Sequence, residues 1–176
     1  KLEENHHNRR ENLMLNEIGD KIQTFNLPLT SATGFGSLAV NALTKGGAYN
    51  QFLPSNGSTA SATTNSSGPI KQGQFGFSID DLVESYGFSH PSHLKIDVDG
   101  NEPDIIVGAE KTLASPRTRS VLIELAPNDQ KHREIIDHMI SAGYHIVSRR
   151  SNWESRENRD RETERPQENV IFFRSS

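Results

Sequence analysis

The stretch from His93 to Leu113 carries the clearest pattern of apolar and polar positions in the chain. It begins with a strict alternation of apolar and charged side chains: Leu94, Lys95, Ile96, Asp97, Val98 and Asp99. A period of two predicts a β-strand that carries its three charged groups on one face. From Pro103 the apolar residues recur at helical spacing, and proline suits the first turn of a helix because its missing N–H is not needed there. The pattern predicts a strand, an acidic turn and a helix, which form one unit of an α/β sheet.

A second strand is predicted beside the first. Ser120–Leu125 is an almost continuous apolar run of the kind that a buried parallel strand shows. A right-handed crossover from the strand at His93 would place the two strands in one parallel sheet. Asp97 and Glu124 would then lie side by side at the carboxyl ends of their strands, where such sheets bind ligands, with Lys95 two residues deeper.

The remaining signals after this pair predict a helix and a hairpin. Asn128 or Asp129 can cap a helix that stops at Gly143. Its spacing turns four apolar residues inward: Ile135, Ile136, Met139 and Ile140. Two last strands, Tyr144–Ser148 and Asn169–Phe173, are predicted to close the sheet as an antiparallel hairpin.

Three elements are predicted before His93. Asn8–Ile18 has the apolar spacing of a helix. Ile22–Leu29 alternates like a strand, and Pro28 within it assigns the segment to a sheet edge, because proline cannot donate to a ladder of hydrogen bonds. Ser78–Asp81 resembles a capping box and predicts a short helix that Gly87 closes.

Other segments carry little structural signal. Pro54–Gly73 is rich in Ser, Thr, Asn and Gly and predicts a mobile insertion, because it has little to bury. Arg149–Glu168 contains six arginines and six acidic residues, which indicates a solvated hairpin loop rather than a charged binding patch. Gly34-Phe-Gly36 does not qualify as a phosphate-binding turn, since no strand is predicted before it and no clear helix after it.

Composition narrows the possible function classes. The chain has 176 residues, enough for one domain with a real core, and a formal net charge of -4 without a basic stripe, which argues against nucleic-acid binding. It has no cysteine, so disulfides and thiolate metal sites are excluded. No apolar run approaches the length of a membrane span, and no signal peptide is visible. We therefore expect a soluble, cytoplasmic protein with no membrane partner.

Lys95, Asp97 and Glu124 form the candidate catalytic group. One interpretation is structural: a lysine and carboxylates on a buried sheet must pair, because an isolated buried charge costs several kcal/mol. The other is functional: the carboxylates orient a substrate hydroxyl and accept its proton, which contributes about 10² to 10⁴-fold to a rate. Two carboxylates also suit Mg²⁺, although the residues do not establish a metal.

The same residues resemble a known family. Lys95-Ile-Asp-Val-Asp-Gly-Asn-Glu102, followed by Gly108-Ala109 and by Val121-Leu-Ile-Glu124, is similar to the FkbM family of S-adenosylmethionine-dependent methyltransferases. The resemblance is specific in this central block and looser elsewhere, where Ser78–Leu82 and Glu11–Asn16 also fit. It covers most of the chain outside the Ser/Thr-rich insertion and the charged loop.

The resemblance implies a fold. It is the α/β, Rossmann-like class I methyltransferase fold, a mostly parallel sheet of order 3-2-1-4-5-7-6 that closes in a C-terminal antiparallel hairpin. The glycine-rich first motif of the family does not occur in these residues, so we expect residues 1–176 to be a single truncated domain whose first strands, and most of whose cofactor site, precede Lys1. The insertion at about 54–73 and the charged loop at about 149–168 would belong to this domain.

The resemblance also implies roles. S-adenosyl-L-methionine would be the cofactor, with Thr30, Ser31 and Ala32 in the region that contacts its adenine. The acceptor would be a sugar or another small hydroxylated molecule, methylated on oxygen. Independently of the resemblance, Asp99 and Glu102 are candidate substrate contacts. For the last two, a purely structural role in the turn and at the helix start is the alternative, since helix dipoles stabilise negative charge there.

Three rival functions stay open at this point. Asp97-Val-Asp-Gly100 also matches the strand-end signature of haloacid-dehalogenase-type phosphatases, although it lies mid-chain and continues differently. A metal-dependent glycosyltransferase would share only the Asp97-x-Asp99 spacing. The third rival is a degenerate methyltransferase domain that binds without catalysing a reaction.

Overall fold

The computed structural model describes residues 10–40, 51–54, 70–98, 100–126, 128–151 and 167–175. Contacts along the chain divide it into two compact units. The first comprises residues 1–28 and 34–76, and the second comprises residues 29–33 and 77–176. The predicted insertion core at 55–69 and most of the charged loop, 152–166, lie outside the described residues.

The first unit contains a three-stranded antiparallel sheet that the sequence did not predict. Its strands are β1 (Gly34–Val40), β2 (Gln51–Pro54) and β3 (Ile70–Gly76), in the order β2-β1-β3. β1 pairs with β3 along its whole length, and the rings of Phe35 and Phe75 meet edge to face with centroids 4.9 Å apart. Glycine and glutamine interrupt the apolar pattern of β1 and β3, which is why periodicity alone did not reveal these strands.

The N-terminal predictions are confirmed only in part. Residues 10–15 are helical, within the predicted helix. The edge strand predicted over Ile22–Leu29 is wrong, because residues 22–28 form no ladder. A single parallel bridge between Leu29 and Phe77 is all that remains of it, and Pro28, which has no N–H to donate, directly precedes that bridge.

The second unit is built on a mixed four-stranded sheet. Its strands are β4 (His93–Ile96), β5 (Ser120–Leu125), β6 (His145–Ser151) and β7 (Glu168–Phe173), in the order β4-β5-β7-β6. β4 and β5 are parallel, and β7 runs antiparallel to both of its neighbours. The predicted parallel pair and closing hairpin are confirmed. This strand order matches the 4-5-7-6 half of the expected sheet. The described strands do not form the mostly parallel sheet that was expected, because only β4 and β5 among them are parallel.

The described part of the second unit contains four helices. They are α1 (Ile79–Glu84), α2 (Glu102–Val107), α3 (Glu110–Ala114) and α4 (Gln130–Ser141). The caps follow the sequence: Ser78 accepts a hydrogen bond from the N–H of Asp81, and Asp129 accepts one from the N–H of Lys131. The single helix predicted after Pro103 is instead two helices, α2 and α3, which separate at Gly108.

The core of the second unit joins the helices to one face of the sheet. The buried residues of one apolar cluster come from all four helices and from β4, β5 and β7: Ile79, Ile96, Ile105, Ile106, Ala109, Leu113, Val121, Ile123, Leu125, Ile135, Met139, Tyr144, Val170 and Phe172. Ile135 and Met139 are inward as predicted. Ile140 is not, with 53% of its surface exposed, because it lies on the far side of the α4 stripe that Ile135 and Met139 define.

The start of α1 gives the second unit an acid-sensitive contact. Hydrogen bonds from the side chains of Thr33 and Ser78 lower the pKa of Asp81 from its ordinary value of 3.8, and the charge of Lys111 acts in the same direction. A carboxyl group whose pKa is lowered by folding stabilises the fold above its unfolded pKa, and this stabilisation is lost as the pH falls through the folded pKa.

We expect the Asp81→Asn variant to lose stability less steeply than the wild type below about pH 4, because it no longer takes up a proton on unfolding. Urea unfolding across the acid range measures this slope. The Asp104→Asn variant, which changes an exposed carboxylate of α2, is the control and should follow the wild type. Equal slopes for Asp81→Asn and the wild type would contradict the assignment.

Candidate functional site

The carboxyl ends of β4 and β5 bring the candidate catalytic residues together on one face. Lys95 pairs with Leu122 in the parallel register, and Ile96 pairs with Ile123. Residues that pair across parallel strands point to the same side, so the next step of this register places Asp97 beside Glu124. Neighbouring strands lie about 4.8 Å apart, which puts the two carboxylates within reach of one small molecule.

An ion pair links two of these residues. Lys95 Nζ lies 2.8 Å from Asp97 Oδ2, and the side chains are 63% and 45% exposed. The hydrogen bond to Asp97 and the charge of that carboxylate raise the pKa of Lys95 above 10.5, and the charge of Glu124 adds to this, against a small opposing effect of burial. Lys95 therefore stays cationic at neutral pH and cannot serve as the base.

The arrangement differs from the buried ion pair that one sequence interpretation required. The inward face of β4 and β5 is apolar, with Ile96, Val121 and Ile123 buried, while Lys95 and Asp97 are exposed on the other face. An exposed pair is not needed to neutralise a charge in the core. The carboxylates of Asp97 and Glu124 can accept hydrogen bonds or a proton from a molecule that approaches from solvent, with Lys95 holding Asp97 in place.

The antiparallel strands β6 and β7 place two more polar residues in line with Asp97 and Glu124. The sequence pattern alone does not reveal them. Asn169 of β7 pairs with Glu124 of β5, and Arg150 of β6 pairs with Asn169. Together with Asp97 these residues form a row of four polar side chains across the sheet, at the carboxyl ends of β4 and β5. Strand alternation around the buried Val170 indicates that Asn169 lies on the opposite, polar face of β7. Its alignment with Glu124 follows only from the pairing register.

Glu102, a candidate substrate contact, is buried. It begins α2 and is only 3% exposed, whereas Asp99 lies outside the described residues. Glu102 Oε1 accepts a hydrogen bond from the N–H of Gly100 at 3.3 Å. Burial favours the alternative that Glu102 supports the turn after β4, and its role in substrate binding stays a prediction.

His132 of α4 is the neighbour of Glu102 that sequence reasoning missed. Its Nε2 lies 3.5 Å from Glu102 Oε2, and both side chains are largely buried. Its spacing along α4 could have identified it, because His132 precedes the apolar residues Ile135, Ile136 and Met139 by three, four and seven residues. It therefore shares the inward stripe of the helix.

Thr30, Ser31 and Ala32 lie against the junction of α2 and α3. The N–H of Thr30 donates to the carbonyl of Phe77, and Thr30 is 3% exposed. Its own carbonyl lies against Gly108, so close that no side chain could be added there. Thr30 is thus engaged in packing, whereas Ser31 and Ala32 are less buried. Their contact with a cofactor stays a prediction.

The described residues give no positive indication of a metal centre. Among them, no three His, Asp or Glu side chains are grouped so that they could hold an ion. Asp99, which could join Asp97 as a ligand, is outside that set. Within the same residues no helix is long and apolar enough to cross a bilayer.

The fold and the site define an α/β protein with a polar, carboxylate-lined edge at the carboxyl ends of parallel strands, where proteins of this class bind their ligands. The family follows from comparison. The model of the methyltransferase FkbM domain matches residues 4–146, and the chain belongs to this family. Comparison with curated proteins and with solved structures gives no match.

Proposed function

We propose that this protein is an S-adenosylmethionine-dependent methyltransferase that methylates a hydroxyl oxygen of a sugar or another small hydroxylated acceptor. Membership of the methyltransferase FkbM domain family supports the transferase class. The observation that carries the acceptor chemistry is the parallel register of β4 and β5, whose last pair is Ile96 and Ile123. Continued by one residue, it sets Asp97 beside Glu124 at the carboxyl ends of the two strands. A carboxylate pair there suits the binding of a hydroxyl and the removal of its proton.

Each candidate residue has a distinct role in the proposed reaction. Asp97 or Glu124 would accept the proton of the acceptor hydroxyl as its oxygen takes the methyl group and the sulfonium sulfur leaves as a neutral thioether. Lys95 holds the Asp97 carboxylate by its 2.8 Å contact and stays protonated throughout. Asn169 and Arg150 offer further hydrogen bonds to a polyhydroxylated molecule. S-adenosylmethionine, when bound, supplies an electrophilic methyl group, and most of the rate comes from holding the hydroxyl in line with it.

The cofactor has only partial support in the described residues. Ser31 and Ala32 could contribute to the adenine side of a cofactor site. The adjacent Thr30 is already engaged with Phe77 and Gly108. A magnesium ion bound by the carboxylates is a variant of the proposal that the described residues do not favour.

The full-length protein, incubated with S-adenosylmethionine that carries tritium in its methyl group and with a panel of sugars and glycosides, tests the proposal. We expect label on the acceptor that resists mild alkali, because a methyl ether survives conditions that hydrolyse a methyl ester. Cofactor binding without transfer to any acceptor would favour a non-catalytic domain. Hydrolysis of p-nitrophenyl phosphate that is lost in Asp97→Asn would favour the phosphatase instead.

A further inference from the structure

The Glu102 carboxylate is anchored at one oxygen and lacks a partner at the other. Oε1 accepts from the N–H of Gly100, whereas Oε2 is buried and has no hydrogen-bond partner among the described residues. His132 Nε2 lies 3.5 Å from Oε2, beyond ordinary hydrogen-bond length. A buried carboxylate oxygen needs a donor, because leaving it unpaired is unfavourable.

The backbone fixes which nitrogen of His132 carries the proton. The N–H of Ala126, just after β5, donates to His132 Nδ1 at 2.6 Å. Nδ1 must therefore be the unprotonated nitrogen, and a neutral imidazole then carries its hydrogen on Nε2. The Nε2–H is then the His132 group nearest to the unpaired oxygen of Glu102, with Nε2 3.5 Å from Oε2. The hydrogen bond from Ala126 and the position of the Glu102 oxygen are thus both consistent with the Nε2–H tautomer.

These contacts connect the ends of the two strands that carry the candidate carboxylates. They run from Gly100, after β4, through Glu102 and His132 to Ala126, after β5. Gly100, in the turn after β4, also donates to the carbonyl of Val98 at 2.7 Å and has a φ of +104°, a conformation that favours glycine. A displacement of Glu102 would change this turn and with it the direction of Asp97.

We propose that His132 is a positioning residue: as the Nε2–H tautomer it holds Glu102, and Glu102 holds the turn after β4 so that Asp97 faces Glu124. This inference deepens the proposed function and rests on it for its kinetic consequence. It assigns Glu102 to the support of the site, because a carboxylate that is 3% exposed is screened from an acceptor molecule.

Two substitutions of His132 separate its two contacts. In His132→Gln the amide nitrogen replaces Nε2 and can still donate to Glu102, while the acceptor for Ala126 is lost. In His132→Asn the amide oxygen replaces Nδ1 and can still accept from Ala126, while the donor to Glu102 is lost. His138→Gln, on the same helix, is the matched control.

We expect His132→Asn to lower kcat about tenfold, the lower end of the loss when an outer hydrogen-bonding partner is removed from a site. His132→Gln should keep kcat within about threefold of the wild type, because the contact with Glu102 is the one that acts on the turn. The KM for the acceptor should change less than kcat in both. Equal losses for the two variants, or none for His132→Asn, would overturn the proposal.

Nuclear magnetic resonance tests the contact chain without any activity. The nitrogen shifts of His132 should show an unprotonated Nδ1 and a protonated Nε2, and the amide of Gly100 should exchange faster in His132→Asn than in His132→Gln or His138→Gln. A protonated Nδ1 in the wild type, or equal Gly100 exchange in all variants, would overturn the inference. These readouts hold even if no acceptor is found, so a failure of the methyltransferase proposal remains distinguishable from a failure of this one.

Discussion

The Gly108→Ala variant should unfold with a free energy about 2 to 3 kcal/mol lower than that of the wild type, at the upper end of the usual effect of overpacking. A Cβ at this position would lie 2.1 Å from the carbonyl oxygen of Thr30 and 3.2 Å from the Cα of Ser31. Both are backbone atoms and cannot move aside as the end of a side chain can. The chain must therefore shift at the α2–α3 junction or away from residues 30–31.

A matched control separates this contact from the general effect of replacing glycine. Gly73 of β3 also has a negative φ, and a Cβ there would meet nothing within 4 Å. Gly73→Ala should therefore leave stability unchanged or raise it slightly, since alanine restricts the unfolded chain. Urea denaturation of both variants gives the comparison. If Gly108→Ala were as stable as Gly73→Ala, residues 30–31 would not be packed on this junction.

The same contact shows where sequence patterns stop being informative. The run from Pro103 to Leu113 has helical spacing throughout, and the glycine at position 108 is a local sign that a helix can end there. What the spacing cannot show is that the backbone of Thr30, almost 80 residues earlier in the chain, occupies the space beside Gly108. Similarly, β1 and β3 are specified by their mutual pairing rather than by an alternating pattern of their own.

Other parts of the fold were predictable because their signals are local. Period two identified β4, a continuous apolar run identified β5, and the handedness of crossovers made the pair parallel. The cap residues Ser78 and Asp129 begin their helices as the sequence indicated. Gly143 ends the last helix with a φ of +89°, which glycine adopts without strain.

The part of the candidate site that lies on β4 and β5 was also predictable from local signals, whereas its contacts with other elements were not. Lys95, Asp97 and Glu124 share a face because strand periodicity and parallel register are enough to place them there. The contact between Glu102 and His132 depends instead on how α4 packs against α2, and the alignment of Asn169 with Glu124 depends on the register of the hairpin. Neither follows from the spacing of residues along the chain.

We expect Asp97→Asn to separate activity from stability. Under the proposed function it should lower the rate of methyl transfer about 10² to 10⁴-fold, the usual contribution of a general base. The amide can still accept a hydrogen bond from Lys95 but cannot take up the proton of the acceptor. If Glu124 is the base instead, Glu124→Gln should show the larger loss, so the two variants are measured together.

The same Asp97→Asn variant should change the free energy of unfolding by less than about 1 kcal/mol, because the pair that it alters is 63% and 45% exposed and solvent screens it. Glu84→Gln is the matched control. It alters an ion pair of similar exposure, 67% and 48%, between Lys111 and Glu84 on the helical side of the second unit. It should change neither stability nor activity appreciably. Equal losses of activity in Asp97→Asn and Glu84→Gln would mean that surface charge acts non-specifically. If Asp97→Asn and Glu124→Gln were both stable and fully active, neither carboxylate would take part in the mechanism.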